Sequence, residues 1–147
     1  MSLLRDLYQE VILDHSKSPR NFSQLSDANR KAEGYNPLCG DKVTVYLKVN
    51  EGVVENVSFK GAGCAISTAS ASLMTLAVKG KDLAETEELF KGFHELVTGK
   101  AGEGSELGEL MVFQGVSEFP VRVKCATLDW HTLQAALEKG EATISTE

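Results

Sequence analysis

Val43-Thr44-Val45-Tyr46-Leu47-Lys48-Val49-Asn50-Glu51-Gly52-Val53-Val54-Glu55-Asn56-Val57-Ser58-Phe59 is the stretch that decides the fold class of this chain. Val43, Val45, Leu47 and Val49 alternate with Thr44, Tyr46, Lys48 and Asn50. A period of two marks a strand with one buried face. Asn50-Glu51-Gly52 is a turn signal, and Val53 to Phe59 is rich in β-branched residues. An antiparallel hairpin is therefore expected.

Helical spacing surrounds the hairpin. Leu3, Leu4, Leu7, Tyr8, Val11 and Ile12 share one face of a first helix that Pro19 ends, and the polar run from Pro19 to Lys31 reads as a long connection. From Cys64 to Lys79, Ile66, Ala69, Leu73 and Ala77 share a helical face, with Gly80 as the C-terminal cap. Asp82 followed by Glu85 has the spacing of a capping box, opening a helix lined by Leu89, Phe90, Phe93, Leu96 and Val97. Gly99 to Gly108 is glycine-rich and reads as a mobile loop, followed by a short helix over Glu109 to Gln114. Pro120 suits the first turn of a last helix, with Ala126, Trp130, Leu133 and Leu137 on one face before Gly140. The expectation is a single α+β domain over residues 1–147: a small antiparallel sheet of about three strands with helices packed on one face.

Composition narrows function by exclusion. The chain has 147 residues, 42% hydrophobic and 24% charged, with a net charge of −6. That acidity disfavours a nucleic-acid partner. No apolar run is long enough to span a membrane, and Met1 to Glu10 lacks the apolar core of a signal peptide. A cytoplasmic protein is expected, where thiols serve as ligands, nucleophiles or core residues more often than as disulfide halves.

The three cysteines sit where elements begin or the chain turns: Cys39 in Asn36-Pro37-Leu38-Cys39-Gly40-Asp41, Cys64 after Gly61-Ala62-Gly63, and Cys125 shortly after Pro120. Three thiols and the Asp41 carboxylate make four ligands, enough to close a tetrahedral site. Bending at Gly40 can turn Cys39 and Asp41 toward one point, and a helix start favours a thiolate at Cys64. The same cysteines read as small buried hydrophobes, and Gly40-Asp41 as ordinary turn chemistry. On residue types alone both readings stand. His15 reads as a cation at the end of the first helix, and His94 and His131 as solvated positions. The small residues Ala65 to Ser72 point to a close helix contact rather than to a nucleophile at Ser67 or Ser70.

Four stretches add a resemblance. Asn36 to Asp41, Phe59-Lys60-Gly61-Ala62-Gly63-Cys64-Ala65-Ile66-Ser67-Thr68-Ala69-Ser70, Val78-Lys79-Gly80-Lys81 and Arg122-Val123-Lys124-Cys125-Ala126 together resemble the U-type iron–sulfur cluster assembly proteins, the family of IscU, SufU and the N-terminal domain of NifU. The likeness runs from Leu7 to Leu137 and is strongest to the SufU branch. Lys124 stands where scaffold-type members carry histidine, and Glu118-Phe119-Pro120-Val121-Arg122 replaces their chaperone-recognition Leu-Pro-Pro-Val-Lys motif. A segment within 95–118 reads as an insertion. The resemblance implies a zinc protein that accepts persulfide sulfur from a cysteine desulfurase and serves iron–sulfur assembly or apo-acceptor proteins. It implies Cys39, Asp41, Cys64 and Cys125 as metal ligands, Cys39 as the persulfide acceptor, and Arg122 and Lys124 as charges offsetting the site. The alternative it implies is a scaffold carrying a transient iron–sulfur cluster.

Overall fold

The computed structural model describes residues 3–37, 39–100, 105–139 and 141–145. The hairpin forms as the alternation requires: β2 (Asp41–Asn50) pairs antiparallel with β3 (Val53–Ala62). Its turn residues take positive φ, 52° at Glu51 and 77° at Gly52, the geometry that matches strand twist in a two-residue connection. Val43, Val45 and Leu47 face inward with Val54, Val57 and Phe59, while Lys42, Thr44 and Tyr46 point to the other face.

Two further strands complete the sheet, in the order β3-β2-β1-β4. The strand β1 (Arg30–Asn36) is antiparallel to β2. The expected connection therefore ends sooner than its polarity suggested. The inward positions of β1 are Ala32, Gly34 and Asn36, so no large hydrophobic residue announces the strand. Small residues stand there because a helix lies close against them: a Cβ on Gly34 would overlap the Thr132 hydroxyl. The fourth strand, β4 (Glu141–Ser145), pairs parallel with β1, from Lys31↔Glu141 to Tyr35↔Ser145. The three antiparallel strands are thus as expected, and a parallel edge strand is added.

The helices are α1 (Leu3–Lys17), α2 (Ala65–Val78), α3 (Leu83–Val97) and α4 (Pro120–Lys139). The inner face of the sheet meets α4 across β1 and β2, and α2 against β3. At α3, Asp82 and Glu85 form the reciprocal capping box. The contact along the small residues of α2 is close, with Ser70 Oγ donating to the Ala126 carbonyl at 2.6 Å. Phe93 stacks on Trp130 at 4.9 Å and meets Phe113 edge-on at 5.6 Å.

Two expectations change here. Where a loop and short helix were expected, a kinked 3₁₀ segment (Ser105–Glu118) contributes Leu107, Leu110, Phe113 and Val116 to the core. Helical periodicity could not reveal it, because a 3₁₀ turn holds three residues rather than 3.6. Residues 101–104 of the expected loop and Gly140, the expected helix stop, lie outside the described residues. His15, expected as a cation capping the end of the first helix, instead turns into the core. It is buried, its Nδ1 lies 2.7 Å from Ser72 Oγ, and burial pushes its pKa down, with the nearby Arg20 charge adding to the effect. His94 and His131 are exposed. No described helix is long and apolar enough to cross a membrane.

Candidate metal centre

Three separate parts of the chain meet at the end of the sheet where β1 turns into β2. Cys39 lies in that turn, and its N–H donates to the Asn36 carbonyl at 3.2 Å. Gly40 follows at φ 70°, a left-handed conformation costly for residues with a Cβ. The bend brings Asp41, the first residue of β2, onto the side where Cys39 stands. Cys125 arrives from the second turn of α4. One ligand atom each from Cys39, Asp41 and Cys125 lies within 4.8 Å of the others, and the Cys39 and Cys125 sulfurs are 3.2 Å apart.

Cys64 stands beside this trio as the N-cap of α2. Its sulfur accepts from Ser67 N–H at 3.4 Å, and its own N–H donates to Asp41 Oδ1 at 2.8 Å. Gly63 permits that approach, since a Cβ there would fall 2.7 Å from Asp41 Oδ1. The structure thus brings Cys39, Asp41 and Cys125 together and tethers Cys64 to them through the Asp41 carboxylate.

Exposure separates the thiols. Cys39 is exposed, Cys64 half-buried and Cys125 fully buried. Burial pushes the Cys125 thiol well above the ordinary cysteine range, and hydrogen bonding to Cys39 and the charge at Cys64 push the same way. A divalent cation reverses that balance, because coordination favours thiolate. The donor set is soft sulfur with one oxygen, which suits zinc or iron in a sulfur environment rather than magnesium or calcium.

Two polar residues of the site carried no role in the sequence reading. Asn36, the last residue of β1, is fully buried and donates from Nδ2 to Asp41 Oδ2 at 3.2 Å and to Cys125 Sγ at 3.6 Å. Asp129, one helical turn after Cys125, is also fully buried. Its Oδ2 accepts from Ser67 Oγ at 3.5 Å, while Oδ1 has no hydrogen-bond partner among the described residues. Burial, with the Asp41 charge adding to it, raises its pKa far above the usual carboxylate range. The i, i+4 spacing from Cys125 was the available signal for Asp129. Asn36 offered none, because asparagine before proline is ordinary turn sequence. Arg122 and Lys124 lie exposed near the start of α4.

Residues 7–141 match the family model described as the NifU-like N-terminal domain. Over 139 residues the chain is 44% identical to the zinc-dependent sulfurtransferase SufU of Bacillus subtilis (strain 168), covering 94% of each chain. It is 42% identical over 140 residues to the iron–sulfur cluster assembly scaffold protein IscU of Streptococcus pyogenes serotype M1, covering 95% of this chain and 87% of that one. Among solved structures it is similar to FiSufU of the SUF system from Fervidobacterium islandicum AW-1, with a TM-score of 0.84 and 37% identity, covering 90% and 98% of the two chains.

Proposed function

The chain belongs to the NifU-like N-terminal domain family, and on that premise we propose a zinc-binding sulfur acceptor that takes persulfide sulfur from a cysteine desulfurase for iron–sulfur cluster assembly. Cys39, Asp41 and Cys125 would hold the zinc, with Cys64 as the fourth ligand. Zinc supplies one thing there: it keeps the thiols deprotonated at neutral pH. The exposed Arg122 and Lys124 would offset the negative charge gathered at the site.

The observation that carries the reading is the exposure of Cys39 beside a buried Cys125. A bulky protein donor can present a persulfide only to a thiol that solvent also reaches. The Cys39 thiolate attacks the outer sulfur of the donor persulfide, a new sulfur–sulfur bond forms, and the donor cysteine leaves as thiolate. The outer sulfur and its proton are then on Cys39. Free thiols at all three cysteines agree with a reducing, cytoplasmic setting.

The test pairs metal analysis with desulfurase turnover. About one zinc per chain and strong stimulation of turnover are expected for the native protein, and Cys39→Ser should remove the stimulation. Full sulfur acceptance by Cys39→Ser would sink the assignment. The streptococcal relative's name favours a second reading, a scaffold on which a cluster is built and released onto apo-proteins. Anaerobic reconstitution separates the two: a stable cluster that transfers to an apo-acceptor supports the scaffold, and rapid loss of colour supports the sulfur acceptor.

A further inference from the structure

We propose that Asn36 is a positioning residue of the metal centre, fixing Cys125 and Asp41 as the held ligands and leaving Cys39 as the one that can be released. The inference rests on the metal-binding reading above. It concerns a side chain that is not itself a ligand.

Asn36 touches three of the four sulfur- or oxygen-bearing positions. Its carbonyl accepts from Cys39 N–H at 3.2 Å and shapes the turn, while its buried amide donates to Asp41 Oδ2 at 3.2 Å and Cys125 Sγ at 3.6 Å. The strand register makes this possible, because Asn36 is paired with Asp41 across the β1–β2 ladder. A turn residue needs only its local backbone bonds. Reaching 89 positions along the chain to a sulfur on α4 is not turn chemistry.

The effect on each ligand differs. With Asn36 on Oδ2 and Cys64 N–H on Oδ1 at 2.8 Å, both carboxylate oxygens of Asp41 are held while lone pairs remain for a cation. An N–H donor on the Cys125 sulfur fixes its position and withdraws charge from it. The sulfur of Cys39 meets the Cys125 sulfur at 3.2 Å, and Cys39 lies open to solvent. Its release therefore leaves the Asn36 bonds to Asp41 and Cys125 in place.

The test compares native protein with Asn36→Leu, which keeps the side-chain shape and removes both donors. Zinc affinity is measured by competition with a chromogenic chelator, and the cobalt(II) derivative by its thiolate-to-metal charge-transfer band. Outer-shell partners of this kind are worth about 10- to 100-fold in metal affinity, and a loss of that size is expected. The band should also move to lower energy, because a sulfur without its N–H donor gives up charge more readily. A merely structural role would leave the band in place. Should Asn36→Leu not fold by circular dichroism, Asn36→Asp is judged by the same two readouts. Zinc affinity within twofold of native and an unmoved band in the folded variant overturn the proposal. Native protein that takes up neither metal overturns the metal-binding reading itself, and the proposal with it.

Discussion

Cys39 and Cys125 are 3.2 Å apart and live in opposite surroundings. Cys39 is carried by a short turn, exposed, and followed by Gly40 at φ 70°. Cys125 is carried by a 20-residue helix, fully buried, and hydrogen-bonded by Asn36. One site therefore contains a thiol that can move and meet a partner, and a thiol that the core holds. Chemistry that hands sulfur between proteins needs both: an accessible acceptor and an anchor that keeps the site assembled while the acceptor is occupied.

The largest expected effect breaks the anchor. Cys125→Ser puts a hydroxyl into a fully buried position and removes the held sulfur, so zinc affinity should fall by several orders of magnitude. The metal-free protein should also lose about 1–3 kcal/mol, the usual cost of a poorly satisfied buried hydroxyl. Cys39→Ser changes an exposed side chain, so its metal-free stability should stay within about 0.5 kcal/mol of native. Thermal unfolding with and without a strong chelator checks both. The chelator-sensitive stabilisation should vanish in Cys125→Ser and survive, reduced, in Cys39→Ser. Equal losses in the two variants would erase the distinction between mover and anchor.

What the sequence disclosed follows the same division. The hairpin was legible because Val43, Val45 and Leu47 alternate with residues facing the other way, and period-two burial leaves that trace. The capping box at Asp82 and the Pro120 helix start were legible because caps are local chemistry. β1 was not, because its buried side is Ala32, Gly34 and Asn36. Close packing against α4 selected small residues and erased the alternation. The site divides likewise. Gly40 between Cys39 and Asp41 advertised convergence, and Asp129 left only its i, i+4 spacing from Cys125, whereas Asn36 reaches Cys125 across 89 positions that no local pattern encodes.

The next effect sharpens the picture of the anchor side. Asp129 is fully buried with its pKa raised well above its ordinary 3.8. Below that ordinary value, both folded and unfolded chains carry the proton, and stability is undiminished. As pH rises above it, the unfolded chain ionises first, and stability falls until the raised folded pKa is passed. Each unit of upward shift costs about 1.4 kcal/mol at high pH. Asp129→Asn removes that loss. In metal-free protein it should be more stable than native at pH 7, by a margin that closes as pH approaches 4. A margin independent of pH would mean that Asp129 acts through packing alone.

The smallest effect concerns Cys64, which stands between mover and anchor in exposure and has two separable duties. Its sulfur caps α2 by accepting from Ser67 N–H at 3.4 Å, and its N–H holds Asp41 Oδ1 at 2.8 Å. Serine is among the best N-cap residues, and its oxygen can take the sulfur's place on the Ser67 N–H. The backbone bond to Asp41 does not depend on the side chain at all. Cys64→Ser should therefore leave the metal-free unfolding midpoint nearly unchanged, within about 0.5 kcal/mol in stability. Zinc affinity should still drop, because a hydroxyl is a poor ligand where a thiolate was available. Together these outcomes would mark Cys64 as a ligand whose structural duty is replaceable. A metal-free protein destabilised as much as Cys125→Ser would instead place Cys64 with the anchor, and the site would have one mobile thiol set against two held ones.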